Sequence, residues 1–206
     1  MSPFDETLLD DAGQRRAIDS TDMLRALAGA GARVRRAVTT VAESDLSDLT
    51  RDRPRAVHVA AVGGAEAVGA VLRMLVSRGG PVLVSAEGSG PLPGWVGTLD
   101  LVIAVSLSGR AEGPVRQARE AGRRGARLVT IGAPNSPLAD AAAHARGVHL
   151  PVEVPGGHSR TAMWGLVTAA VLATTAARIT DVRPEVMAGV ADLRLGAFDR
   201  VEGIWR

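Results

Sequence analysis

The chain has 206 residues, 46% of them apolar and 22% charged, which is enough for one domain with a substantial core and is a globular rather than a disordered balance. It has no cysteine, lysine or tyrosine, which excludes disulfides, thiolate chemistry, a Schiff-base or P-loop lysine and a tyrosine acid, and leaves arginine as the only fixed side-chain cation. The formal charge of +2 gives a pI near 10.6 only because nothing titrates between histidine and arginine; the arginines are scattered among acids, so nucleic acid is not an expected partner.

Met1 to Asp11 is acidic and polar and lacks the basic and apolar regions of a signal peptide, so a cytoplasmic chain is expected. Residues 1–21 read as an N-terminal extension, 22–180 as the domain and 181–206 as a C-terminal tail or the start of a linker. The first helix is expected from Asp22 to Glu43. Ser20, Thr21 and Asp22 offer capping oxygens, and Leu24, Leu27, Ala28, Gly31, Val34, Val38 and Val41 recur at helical spacing. Strands are expected at Ala56–Val62, Pro81–Ser85, Leu101–Val105, Ala126–Ile131 and Val148–Val152. Helices are expected at Glu66–Ser77, from Gly113 to about Arg124, at Ser136–Ala145 and at His158–Arg178. A weaker one should run from Pro184 to about Arg194.

Short, continuously apolar strands alternating with helices predict a doubly wound, five-stranded parallel sheet flanked by helices, an α/β three-layer sandwich of flavodoxin-like type. Thr161 to Ala177 carries no charge but is rich in Ala and Thr, which reads as a buried core or interface helix rather than a membrane span. In such sheets ligands sit beyond the C-terminal strand ends at the switch point, which points to the loops starting at Gly63 and at Ser106.

The strongest local pattern is Val105-Ser106-Leu107-Ser108-Gly109-Arg110-Ala111-Glu112: a buried strand, two hydroxyls, a glycine, then a helix. Helix-start N–H groups are unpaired and partly positive, Gly109 permits close approach, and Ser106 and Ser108 can donate to phosphate oxygens. Serines serving only as turn and cap residues would produce the same pattern. Gly63-Gly64 after the first strand also permits close backbone approach, but Val62 to Gly69 is not a dinucleotide fingerprint. His58 reads as a satisfied core or edge residue and His144 and His149 as surface residues. His158, two positions before Arg160, is the histidine nearest the expected site. No His, Asp and Glu grouping has metal-ligand spacing, so neither a metal nor another cofactor is expected.

With Val62-Gly63-Gly64, Leu92-Pro93-Gly94-Trp95, Asp100 to Ser106, Ser108-Gly109, Glu112, Ala133-Pro134, Ser136-Pro137-Leu138 and Ser159-Arg160 in order, the chain resembles the first sugar-isomerase (SIS) domain of the bacterial and archaeal bifunctional phosphoglucose/phosphomannose isomerases, particularly the actinobacterial branch. The likeness runs from about Asp22 to Arg178. It implies a sugar-phosphate site at Gly63, Gly64, Ser106, Ser108, Gly109, Arg110, Glu112 and Arg160, with the arginine near the reacting carbons.

Ala65 stands where that family usually has serine, and Arg110 and Ala111 replace Asn and Thr, so two expected hydroxyls are missing. Glu66 lies where it should repel an anion. The resemblance also implies a second SIS domain carrying the glutamate base and a histidine. Nothing up to Arg206 matches those residues, so no catalytic residue is assigned. The expectation is a sugar-phosphate-binding domain related to aldose–ketose isomerases, completed by a second domain or partner if it is catalytic. A non-catalytic sugar-ligand sensor or a dimerising module is the alternative. A homodimer is expected because the uncharged helix around Met163, Trp164 and Leu166 carries more apolar surface than one sheet face needs.

Overall fold

A computed structural model describes residues 11–20, 23, 29–76, 81–152, 159–187 and 189. The elements are α1 (Ala12–Ile18), α2 (Ala30–Glu43), α3 (Ser47–Thr50), β1 (Ala56–Ala61), a 3-10 turn (Gly63–Ala65), α4 (Glu66–Val76), β2 (Leu83–Ala86), β3 (Leu101–Ser106), α5 (Glu112–Arg123), β4 (Arg127–Gly132), α6 (Pro137–His144), β5 (Val148–Pro151) and α7 (Ser159–Ala176). The sheet order is β2-β1-β3-β4-β5, and every pair is parallel. The expected fold class is therefore the observed one.

All six residues of β1 and all six of β3 are buried, because each strand is covered on both faces. Alternation along the strands divides the core in two. Val57, Val59, Leu101, Ile103, Val105, Val129 and Ile131 face α2, α4 and α7, while Ala60, Val102, Ala104 and Leu128 face α5, α6 and the segment of Leu92 and Val96. Each fully buried Leu or Ile contributes about 1.5–3 kcal/mol, so the central strands anchor the domain. β2 and β5 are edge strands and are only partly covered.

All five expected strands and the helices between them form, with ends displaced by one or two residues. The second strand starts at Leu83, not Pro81, and Glu87 N–H extends its pairing to Val59 C=O. The first long helix is described from Ala30; residues 22 and 24–28 of its expected span, like 188 and 190–194 of the last expected helix, lie outside the described residues. Two helices were not expected: α1, inside the extension, and α3, a single turn that buries Leu49.

The start of the tail packs back on the domain. Thr175 Oγ1 donates to Val182 C=O at 3.1 Å, and Val182 and Met187 lie against the core. The uncharged helix α7 is core: Leu166 and Ala169 to Thr174 are buried, with α2, α4 and the sheet packed around it. Of the residues from which surplus apolar surface was read, Leu166 is buried, while Met163 and Trp164 are half-buried. Among the described residues no helix is long and apolar enough to cross a membrane.

Candidate functional site

β1 and β3 are adjacent, with Ala61 opposite Val105, so the turns that follow them leave the same end of the sheet side by side. In each, one glycine takes a left-handed backbone, Gly63 at φ 60° and Gly109 at φ 65°. The 3-10 turn at Gly63–Ala65 also packs against α7, whose first turn contains Arg160. Gly63, Gly64, Ser106, Ser108, Gly109, Arg110 and Glu112 are thus gathered around two neighbouring strand ends. The Arg160 side chain and His158 lie outside the described residues.

The second turn is built by its own polar atoms. Gly109 N–H donates to Ser106 C=O at 2.9 Å. Ala111 N–H donates to Ser106 Oγ at 3.2 Å, and Arg110 N–H donates to Ser108 Oγ at 3.3 Å. Each serine oxygen therefore accepts a backbone proton, and each hydroxyl still has a proton of its own to donate. Ser106 is buried and Ser108 exposed. The N–H groups of Glu112 and Gly113, at the start of α5, meet no acceptor among the described residues, so partial positive charge remains there.

The turn is clamped from behind. Leu138 N–H donates to Gly109 C=O at 3.1 Å and Ala133 N–H to Leu107 C=O at 2.9 Å. A side chain on Gly109 would meet Ser136 Oγ at 2.0 Å. Ser136 itself caps α6, accepting from Ala139 N–H at 3.3 Å. Arg110 is exposed and has no side-chain partner among the described residues. Glu112 turns along the helix to Arg116, 3.2 Å away, and Arg116 also donates to Ser89 C=O at 2.8 Å.

The first turn differs. Gly63 N–H donates to Glu66 Oε1 at 3.1 Å, so the carboxylate that the sequence placed as a repelling charge occupies one of the amides of this turn. Beside it, a cavity of about 190 Å³ is bordered by Ala61, Glu66, Arg73, Glu87, Gly88 and Ser89.

The segment after β2 forms part of the site's wall. It passes between the end of β1 and the start of α5. A side chain on Gly88 would meet Ala61 C=O at 2.1 Å, and one on Gly113 would meet Gly88 C=O at 1.9 Å.

Below this wall lies a polar network. Gln117 Nε2 donates to Gly90 C=O (2.8 Å) and Glu87 C=O (3.2 Å), which turns its Oε1 toward His58 Nε2 at 2.7 Å. His58 Nε2 must then carry the proton, and its Nδ1 accepts from Ser85 Oγ at 2.7 Å. Burial is the main cause holding the His58 pKa below the ordinary histidine value, so the ring is neutral. His58 is the satisfied core residue that was expected. The signal for its partner was a glutamine inside the apolar stripe of Val115, Ala118 and Ala121.

His149 is a correction. It is half-buried, not a surface residue: its Nδ1 lies 2.8 Å from Thr130 Oγ1, and its Nε2 is buried without a partner among the described residues. Register explains this, since His149 on the edge strand β5 is paired with Thr130 on β4 and shares its face of the sheet. Burial lowers its pKa as well. His144 is exposed, as expected.

No protein-family model matches the chain, and no curated protein matches it. Solved structures do. A protein of Bacillus subtilis described as a phosphosugar isomerase aligns with a TM-score of 0.61 at 22% identity, covering 84% of this chain and 52% of that one. The NanR protein of Vibrio vulnificus, complexed with ManNAc-6P, aligns with a TM-score of 0.54 at 16% identity over 92% of this chain and 71% of that one. A Methanococcus jannaschii protein, for which a 3-hexulose-6-phosphate isomerase function has been inferred, aligns with a TM-score of 0.54 at 15% identity over 76% and 92%. At these identities the likeness establishes the fold, the one expected from the SIS resemblance. The chain spans about half the length of the Bacillus subtilis protein.

Proposed function

We propose that this chain is an SIS-type domain that binds a sugar phosphate at the turn from Ser106 to Glu112, with the phosphate at Ser106, Ser108 and the first amides of α5. The observation that carries this reading is the state of the two hydroxyls: each oxygen is occupied by a backbone N–H, which leaves both protons to donate beside unpaired helix-start amides. The exposed Arg110 supplies a guanidinium at the same turn. Gly64 lines the neighbouring turn, and Arg160 stands in the first turn of α7, the helix packed against that turn. ManNAc-6P on NanR and the phosphosugar isomerase description of the Bacillus subtilis protein support a ligand of this class.

Binding is favoured over catalysis by the chain alone. Aldose–ketose isomerisation needs a positioned base beside the carbonyl. The carboxylates that start the two helices are engaged, Glu112 by Arg116 and Glu66 by Gly63 N–H. An isomerase of the phosphoglucose/phosphomannose type would therefore take its base from a second SIS domain or a paired copy, and pairing of two copies belongs to this reading. Calorimetric titration with glucose 6-phosphate, fructose 6-phosphate and mannose 6-phosphate tests it. Binding of at least one of them that weakens about tenfold or more in Ser108→Ala is the expected result; no heat from any, or affinity unchanged by the substitution, overturns it. Light scattering tests the pairing, and a monomer at micromolar concentration ends it.

A further inference from the structure

At the other end of the sheet, where β1, β3, β4 and β5 begin, there is an open cleft of about 530 Å³. Five arginines line it, Arg51, Arg53, Arg55, Arg127 and Arg146, against Asp48 and Asp52. They come from three separate parts of the chain: the segment before β1, the start of β4 and the turn before β5.

Two of the five charges are spoken for. Arg51 pairs with Asp48 at 3.1 Å. Arg55 grips the buried Asp100 through both carboxylate oxygens, at 3.0 and 2.8 Å. Arg127 donates to the Asp52 main-chain carbonyl, which leaves its charge unneutralised. Arg53 and Arg146 have no ion pair or side-chain hydrogen bond to a described residue. The Asp52 carboxylate offsets one of these three guanidiniums, which leaves the cleft with a surplus of about two positive charges.

A second observation concerns Arg146, which shares a left-handed backbone with Asn135 and Arg178 but among them alone lines the cleft. It sits at φ 54°, in the left-handed region, where α6 ends with Gly147 N–H donating to Ala142 C=O at 2.8 Å. Helix ends of this shape favour glycine. Arg146 is thus a strained residue on the wall of the cleft. Apolar surface adjoins the charges, because Leu99 lines the cleft and is 65% exposed.

We propose that this cleft binds an organic phosphate of nucleotide size, its phosphates on Arg53, Arg127 and Arg146 and its apolar or aromatic body against Leu99. The volume is that of a small-molecule site, and guanidinium forks match phosphate oxygens. This site is at the opposite strand ends from the serine turn and does not depend on it.

The test is calorimetric titration of the full chain with ADP and with inorganic pyrophosphate, for the wild type and for Arg53→Ala and Arg146→Gly. Both ligands should bind, and each substitution should weaken ADP by about fivefold or more. Because glycine suits the left-handed position, Arg146→Gly should not lower the thermal midpoint, which separates lost charge from lost fold. Absence of ADP heat at millimolar concentration overturns the proposal, as does unchanged affinity in both variants. Binding that disappears in Ser108→Ala but persists in the arginine variants also overturns it, by moving the ligand to the serine turn. Single-stranded RNA binding through these arginines while ADP does not bind overturns the small-molecule assignment in favour of a polynucleotide.

Discussion

At Gly63 and at Gly109 the chain leaves a buried parallel strand, passes through one left-handed glycine and starts a helix. The backbones match, but the electrostatics oppose each other. The Gly63 turn is occupied by a carboxylate of its own, Glu66, whereas the Gly109 turn is propped by two neutral hydroxyl oxygens. Both helices start with a glutamate, so what differs is where that acid turns: Glu66 folds back on the Gly63 amide, whereas Glu112 runs along its helix to Arg116 and leaves the Gly109 turn to the serines.

The largest expected effect separates the turns by packing. Gly109→Ala combines left-handed strain with a contact at 2.0 Å on Ser136 Oγ and should destabilise the fold by about 3 kcal/mol. Gly63→Ala meets no atom within 4 Å and should cost only about 1 kcal/mol of strain. Urea midpoints of the two variants measure this, and equal losses would break the contrast.

Next is ligand affinity. Ser108→Ala should weaken glucose 6-phosphate by about tenfold or more, the loss of one hydrogen bond to a charged group. Glu66→Gln keeps an acceptor for Gly63 N–H while removing the charge, and should tighten the same ligand about two- to fivefold. Tightening absent in Glu66→Gln, measured by the same titration, would mean that the two turns do not share a ligand.

The smallest effect is pH dependence, and it reports on the framework beneath both turns. His58 lies on the strand before Gly63 and is bonded to Gln117 on the helix after Gly109. Its pKa is lowered by burial, so the unfolded chain takes up the proton more readily than the folded one. Stability is therefore full above the unfolded value of about 6.5 and falls as pH drops from there toward the folded pKa. His149 adds a slope of the same sign. Urea unfolding from about pH 7.5 to about pH 5 should show this fall, and His58→Gln should reduce the slope without abolishing it.

The alternation of apolar runs with helical stripes was enough to read the five parallel strands and the two loops at their C-terminal ends. The pattern Ser106-Leu107-Ser108-Gly109 before a helix marked the turn whose two hydroxyl oxygens accept backbone N–H groups. Other features were illegible for a physical reason. Glu66 was read as a repelling charge because sequence does not say that its carboxylate folds back on Gly63 N–H. His149 was read as a surface residue because the register of an edge strand, and hence which face a side chain takes, depends on its neighbour. The wall made by Gly88 and Gly113 required knowing that the loop after β2 crosses the end of β1.

The linear chain therefore determined what depends on local spacing: the strands and helices, the layer order they imply, and a serine turn at a helix start. Tertiary structure alone decided what depends on distance across the sheet. It set which acid answers which amide, joined Ser85, His58 and Gln117 into one network, and gathered arginines from residues 51 to 146 around one cleft. Periodicity is a property of neighbours in sequence, whereas charge compensation and hydrogen-bond closure are properties of neighbours in space, and only folding makes the second set known.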